Sequence, residues 1–411
     1  MTSITRDFAP PFKLIAPYFI IGTIFYVLCH FSLFGIDITQ SSFQEMHIIA
    51  WIHLFLLGFV MMIIFGAMAQ LIPVVLERGH FSVDFYYIIY PLLTVGILMM
   101  VYGFLYSTVV LSFGGAMVLI AMFIFSLETF LTLKDVEKFD IVSVSVVLSN
   151  IFLSVGVIIG LVMALTFAGF IVSDITTLLK AHVYLIVGGY IMITIMSFSY
   201  ILIPMFGLSH GFSKIPLHVA IWMQSFAVSI VFLSSLVDIE FLSKIGYFFS
   251  FLSVFIYFYL IYTIDKTRAR KQNDMYIISL FIGFVFFVLS ALFGGLYIFL
   301  GDERYALLCG WLLFVGFFGF LISGHLYKIV PFLVWYERFA PLVGKQKVPM
   351  LGDMVPEKSA NLQIYLSAIG IVLYSLAIYF QYNYLQFAAA SLLGVGSLIL
   401  FYNLIYMIRF R

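Results

Sequence analysis

The chain has 411 residues, of which 64% are hydrophobic and only 9% are charged, whereas charged residues make up roughly 25% of an ordinary soluble domain. This composition excludes a water-soluble globular protein, and a formal net charge of +1 offers no basic surface to nucleic acid. Two cysteines without a CxxC pair argue against a disulfide framework, a zinc ribbon and thiol redox chemistry.

Apolar stretches of about 20 residues or more follow one another along the chain, each long enough to cross a bilayer as a helix. They are continuous rather than alternating, which excludes a β-barrel, and helices satisfy their own backbone groups in lipid. The N-terminus MTSITRDFAPPFK has no cleavage site of small residues, so we expect it to be retained. The sequence predicts an all-α polytopic membrane protein, one integral membrane domain over 1–411, with helices at 12–34, 46–75, 85–107, 109–133, 142–168, 180–206, 216–238, 241–263, 274–300, 305–335, 361–380 and 383–408.

The positive charges predict the orientation of these helices. Of the 20 Lys and Arg residues, all but Lys180, Lys244 and Arg304 lie in the N-terminus, the even-numbered loops or the C-terminus. Because Lys and Arg are enriched on the cytoplasmic side, we expect both termini in the cytoplasm. The one sizeable loop, 336–360, then lies on the cytoplasmic face and is too short for a domain.

Three of the predicted helices share a pattern. The second contains HLFLLGFVMMIIFGAMAQLIP, the sixth YLIVGGYIMITIMSFSYILIP and the tenth WLLFVGFFGFLISGHLYKIVP. When these are aligned on their last proline (Pro73, Pro204 and Pro331), two sets of small residues coincide: Gly58, Gly189 and Gly316, and then Gly66, Ser197 and Gly324. The copies are four helices apart, which predicts three repeat units at approximately 1–140, 141–270 and 271–411. A chance match among residues common in membrane helices is the alternative.

The histidines are the main candidates for cofactor chemistry, because imidazole is a frequent ligand of haem and transition metals. His53 and His182 occupy neighbouring registers of the repeat on helices 2 and 6, at similar depth, where both imidazoles could reach one haem b or one metal ion, with copper as an alternative. His47 and His30 lie near the outer side and are weaker metal candidates. His80, His210 and His325 lie near the inner side, where threefold-related helix ends could bring them together around a metal or a proton entry. The alternatives are hydrogen bonding across helices for the buried histidines and simple solvation for those in loops.

Few other ionisable groups are expected inside the membrane. Glu128, in FSLETF of the fourth helix, is placed to serve a proton path, and the alternative is a carboxylate that extends to the cytoplasmic interface. The predicted helices contain no series of carboxylates, which argues against an ion-coupled transporter without excluding one.

Twelve helices in three groups of four, with histidines on helices 2, 6 and 10, resemble subunit I of the haem–copper oxidase superfamily. The likeness covers most of the chain and is closest to divergent members related to the C-family oxidases and the nitric-oxide-response haem–copper membrane proteins. It is carried by HIIAWIHLFLLGFVMMIIFGAMAQLIPVV, AHVYLIVGGYIMITIMSFSYILIP and SGHLYKIVPFLVWYERFAPLVGKQKVP. The resemblance implies that His53 matches the low-spin haem ligand of helix 2 and that His182 matches the copper-binding histidine of helix 6.

The sequence departs from that family at the remaining ligand positions. Helix 10 should carry a His-x-His pair, but the corresponding stretch is Cys309-Gly310-Trp311, and His325 lies roughly 22 Å further along a helix. Helix 7 should supply two adjacent histidines and offers only His218, at its cytoplasmic end. The resemblance therefore implies the fold without the oxygen-reducing centre.

Two classes of function remain open from the sequence. The first is a haem- or metal-binding inner-membrane protein that serves electron transfer, redox or gas sensing, or a respiratory complex, with respiratory-chain subunits or a cytochrome c as partners. The second is a cofactor-free transporter or assembly protein on the same fold. An active terminal oxidase or nitric oxide reductase is the least favoured alternative, because it would require ligands that are missing from the expected positions. If the protein is an enzyme, we expect an oxidoreductase.

Overall fold

A computed structural model describes residues 10–39, 42–137 and 139–411. Arg6 and Lys138, which the orientation prediction uses, lie outside these ranges. The described residues are all-helical and contain twelve helices long and apolar enough to cross a membrane. We number them α1 (Phe12–Gly35), α2 (Met46–Leu76), α3 (Asp84–Tyr106), α4 (Thr108–Leu133), α5 (Ile141–Phe167), α6 (Ile175–Gly207), α7 (Ile215–Val237), α8 (Glu240–Thr267), α9 (Met275–Leu300), α10 (Glu303–Arg338), α11 (Glu357–Phe380) and α12 (Asn383–Arg409).

The number of predicted helices is confirmed, and the clearest difference in bounds is at the start of α6. Hydropathy alone places that start at residue 180, whereas the helix begins at Ile175. The preceding residue Asp174 explains the extra turn, because its side chain accepts hydrogen bonds from the backbone amides of Thr176 and Thr177. A capped first turn is stable although it is polar, and an apolar pattern cannot detect it.

The helices α2, α6 and α10 share a local feature that few helices have. Each contains a π-helical segment, at Leu54–Met61, Tyr184–Ile191 and Leu312–Phe318. π-Helical turns are rare and are frequent at functional sites. Each segment includes the first of the small residues that the three aligned stretches share, Gly58, Gly189 or Gly316.

Each of these three helices also contacts its preceding neighbour in the same way. A methyl group added to the glycine of the π-helical segment would lie 2.7 Å from a phenylalanine of the preceding helix, in the pairs Gly58–Phe25, Gly189–Phe152 and Gly316–Phe286. The residue seven positions before each phenylalanine makes a second close contact. It contacts the second small residue of the repeat, in the pairs Gly66–Tyr18, Ser197–Ser145 and Gly324–Ser279. Small residues that allow helices to approach closely therefore recur with the same spacing in three helix pairs.

The chain divides into two compact units that do not follow the repeat boundaries. The described part of unit A spans 69–272 and contains the end of α2 and helices α3–α8, with α3 packed on α4, α4 on α5, α5 on α6, and α7 on α8. Unit B comprises 10–68 and 273–411, with α1, most of α2 and helices α9–α12.

A buried polar network stabilises unit B. Ser359 donates to Asn403, Asn403 donates to Tyr327, Tyr327 donates to Gln363, and Gln363 donates to Ser367, at distances of 2.8–3.2 Å. These residues lie on α10, α11 and α12. Polar side chains that hydrogen-bond between membrane helices hold them in register, and the network fulfils that role here.

Candidate functional sites

The best-defined polar site lies in unit A, where His80 meets Glu128. His80 Nδ1 lies 2.9 Å from Glu128 Oε1, and His80 Nε2 lies 2.7 Å from the backbone oxygen of Ala69. Both side chains are 0% exposed. Because both ring nitrogens are hydrogen-bonded, the imidazole as placed offers no nitrogen to a metal ion.

Local sequence explains how His80 reaches this position. Pro73 has no backbone N–H, so the oxygen of Ala69, four residues earlier, has no helical partner. After Leu76 the chain turns through Glu77, which has a left-handed φ of 51°, and the amide of Arg78 bonds back to Pro73 O, an arrangement typical of helix C-termini. This turn directs the chain back toward α2, and His80 then donates to the oxygen that the proline leaves open.

Glu128 is held by further donors from two helices. Thr132, one turn later on α4, donates to Oε1 at 2.7 Å, and Tyr86 of α3 donates to Oε2 at 3.3 Å. The backbone amide of Phe81 donates to the Thr132 hydroxyl at 3.0 Å, which fixes that hydroxyl as a donor to Glu128. The carboxyl group is therefore enclosed in the protein rather than extended to an interface. Neither Tyr86 nor Thr132 is recognisable from the sequence as part of this site.

In unit B the most unusual histidine is His30, on α1. Its side chain is 0% exposed, and Nδ1 lies 2.9 Å from the backbone oxygen of Tyr26, one turn earlier. The Tyr26 ring packs edge-on against the imidazole, with centroids 4.3 Å apart. His30 Nε2 is buried and has no hydrogen-bond partner among the described residues. Buried polar atoms are nearly always paired, so this nitrogen requires an explanation.

His53 and His182, the predicted cofactor pair, belong to different units. In unit B, His53 Nδ1 lies 2.8 Å from the oxygen of Ile49 on its own helix. In unit A, His182 Nδ1 lies 2.8 Å from the oxygen of Gly156 on α5. A methyl group added to Gly160 would lie 2.8 Å from His182 Cε1 and 3.7 Å from Nε2, so the edge of the imidazole that carries both nitrogens faces α5.

The repeat gives His182 a counterpart in unit B. Trp51 precedes Gly58 by the same seven residues that separate His182 from Gly189. The Trp51 indole nitrogen donates to the backbone oxygen of Cys29, which lies four residues after Phe25. His182 bonds the backbone oxygen of Gly156, which likewise lies four residues after Phe152. His182 therefore makes the same interhelical hydrogen bond that tryptophan makes in the first repeat.

The remaining sequence candidates are either exposed or already bonded. His47 and His210 are exposed, whereas His325 bonds Leu321 O through Nδ1 at 2.7 Å and lies 3.3 Å from the Tyr276 hydroxyl through Nε2. Across the described ranges, no three His, Cys, Asp or Glu side chains converge on one point as a metal-binding group would require. Cys29 and Cys309 are both free thiols.

Unit B also has an apolar pocket of about 90 Å³ between the N-terminal halves of α2 and α10 and the end of α11. Trp51 and Trp311 line it with ring centroids 5.7 Å apart, and Trp311 stacks on Tyr374 at 4.1 Å. At this separation the two tryptophan rings leave no room for a haem between them. The aromatic content of the chain gave no specific sign of this pocket.

Comparison with known proteins supplies no relative: no family model matches the chain, and no curated protein matches it significantly.

Proposed function

We propose that this integral membrane protein binds a haem b or a metal ion through histidines of unit B and serves electron transfer or redox or gas sensing, on a fold like that of oxidase subunit I. The observation that supports this proposal is the unpartnered His30 Nε2. A buried polar atom without a partner costs about 1–3 kcal/mol, and a coordinated ion offsets that cost.

The protonation state of His30 suits a ligand. A backbone oxygen can only accept, so the bond to Tyr26 O places the proton on Nδ1 and leaves the lone pair on Nε2. Histidines that bind metals characteristically have this second hydrogen bond, which fixes the ring and the tautomer. His53 has the same type of bond, to Ile49 O. His30 and His53 are the candidate ligands of unit B for such a group, which would supply one-electron chemistry or gas binding.

The surroundings of His30 suit a shielded redox group. Tyr26 contacts the imidazole and packs on Phe59 at 4.2 Å. Leu33, one turn after His30, lines the aromatic pocket together with Trp51, whose indole bonds the oxygen of the adjacent Cys29. An apolar shell of this kind excludes water and thereby tunes redox potential. The resemblance to oxidase subunit I and the repeated helix pairs support the same class of protein.

The test is a reduced-minus-oxidised visible spectrum, a pyridine haemochrome assay and elemental analysis for copper and iron on the purified protein. We compare the wild type with His30→Ala, His53→Ala and, as a matched control, His47→Ala, since His47 is exposed. The proposal expects a haem spectrum or a stoichiometric metal that is lost in the first two variants and retained in the control. A featureless spectrum and no bound metal after haem-supplemented expression would reject it.

The second candidate is a cofactor-free transporter or assembly protein, and the position of His182 favours it. His182 makes the interhelical hydrogen bond that Trp51 makes in the first repeat. This structural role is enough to explain a histidine at position 182, which the sequence had suggested as one of the two haem ligands. This candidate expects no bound cofactor, together with full retention of function in His182→Asn, which preserves the donor to Gly156.

A further inference from the structure

The His80–Glu128 pair in unit A can hold one proton between two atoms. Ala69 O can only accept, so His80 Nε2 carries a hydrogen. The contact between His80 Nδ1 and Glu128 Oε1, at 2.9 Å, therefore contains a single proton, bound either to the nitrogen or to the oxygen. Both arrangements are neutral overall, as an imidazolium with a carboxylate or as an imidazole with a carboxylic acid.

Removing the proton from this pair, or adding a second one, carries a large free-energy cost inside the protein. Removing the proton leaves a lone pair on Nδ1 facing a carboxylate oxygen and a net charge of −1 in a site with no exposed side chain. Adding a second proton leaves an unpaired imidazolium. Charges without a partner are strongly disfavoured in a low-dielectric interior. The pair is thus built to retain one proton and to separate when that proton is lost.

The site lies just beneath a surface. His80 belongs to the short connection between α2 and α3, and although its side chain is enclosed, the residue as a whole is partly exposed. The Lys and Arg distribution predicts that this connection faces the cytoplasm.

The groups around the pair are few. Tyr86 faces it from α3 and Thr132 from α4, both as donors to the carboxyl group. On the side of α6, the titratable side chain of Tyr190 packs on Phe125, three residues before Glu128, with ring centroids 6.4 Å apart. Arg78, two residues before His80, forms its own exposed pair with Glu137 at 2.9 Å.

We propose that His80 and Glu128 form a binding site for one exchangeable proton, supplied from the predicted cytoplasmic side, and that this proton fastens the α2–α3 connection to α4. When the proton leaves, repulsion between Nδ1 and Oε1 separates the two side chains. The Phe81 amide then loses its bond to Thr132, because that bond depends on the connection lying against α4. This site is independent of the haem or metal proposal.

Hydrogen exchange measured by mass spectrometry on peptides covering 77–83 tests the proposal, with rates corrected for the intrinsic effect of pH. In the wild type, protection of these amides should fall as the pH rises through proton release. Glu128→Gln should remain protected over the whole range, because an amide nitrogen in the position of Oε1 donates permanently to Nδ1 and the amide oxygen, in the position of Oε2, still accepts from Tyr86. The matched control Glu137→Gln, an exposed glutamate that bonds Arg78, should respond to pH as the wild type does.

Tyr86→Phe provides a milder variant if Glu128→Gln does not fold. It removes only the donor to Oε2 and leaves the contact between His80 and Glu128 in place, so protection of residues 77–83 should still fall as the pH rises. The proposal is overturned if wild-type protection is independent of pH, if Glu128→Gln follows the wild-type curve, or if Tyr86→Phe abolishes the pH dependence that the wild type shows.

Discussion

The close approach of α5 and α6 makes a specific prediction for Gly189→Ala. The added methyl would lie 2.7 Å from Cβ and 2.8 Å from Cγ of Phe152, well inside van der Waals contact. Because Cβ is fixed to the backbone, rotation of the phenylalanine cannot relieve the clash, and the helices must move apart. Overpacking of this kind costs about 1–3 kcal/mol.

Gly295→Ala is the matched control, since it is the same substitution in the interior of a membrane helix, α9. A methyl group there meets nothing within 4 Å, so only the better helix propensity of alanine remains, worth up to about 1 kcal/mol. Gly189→Ala should therefore lower the stability, whereas Gly295→Ala should leave it unchanged or raise it. Gly58→Ala and Gly316→Ala should behave like Gly189→Ala, because they face Phe25 and Phe286 at the same 2.7 Å.

The assay is the fraction of detergent-solubilised protein that remains monodisperse in size-exclusion chromatography after heating over a range of temperatures. We expect Gly189→Ala to lower the midpoint temperature and Gly295→Ala to leave it unchanged or raise it. If Gly189→Ala were as stable as the wild type or the control, the reasoning that these glycines set the helix spacing would be wrong.

Two further predictions concern helix contacts and helix ends. His182→Asn should retain most of the stability that His182→Leu loses, about 1–3 kcal/mol, because the asparagine amide can donate to Gly156 O as Nδ1 does; equal losses in thermal unfolding would count against a structural hydrogen bond. At the start of α6, the side-chain hydrogen bond from Thr177 holds the pKa of Asp174 below its usual value. The ionised cap therefore stabilises the fold above the ordinary aspartate pKa of about 3.9, and this contribution is lost as the pH falls through the lowered pKa. The melting temperature of Asp174→Asn should lie below that of the wild type at neutral pH and converge with it in acid, and a constant difference would contradict the role of the charge.

Hydrophobic patterning was sufficient to predict the number of membrane helices and their approximate bounds, because lipid imposes one length and one composition on every span. The repeat was also visible in the sequence, since close helix contact demands small residues at fixed spacing. The sequence did not show the three π-helical segments or the phenylalanine that faces each glycine, because these features depend on how neighbouring helices pack.

The polar sites depend on contacts between residues far apart in the chain. The sequence singled out His80 and Glu128 separately, but only the turn after α2 and the packing of α3 on α4 bring the imidazole, the carboxyl group and Tyr86 together. Likewise, helical registers placed His182 beside His53 in an alignment, whereas the direction of the His182 ring is decided by the groove at Gly156 and Gly160. Residue type and periodicity determine which segments enter the membrane, and the partners of each buried polar atom are determined by tertiary packing, since a hydrogen bond requires an atom at about 3 Å.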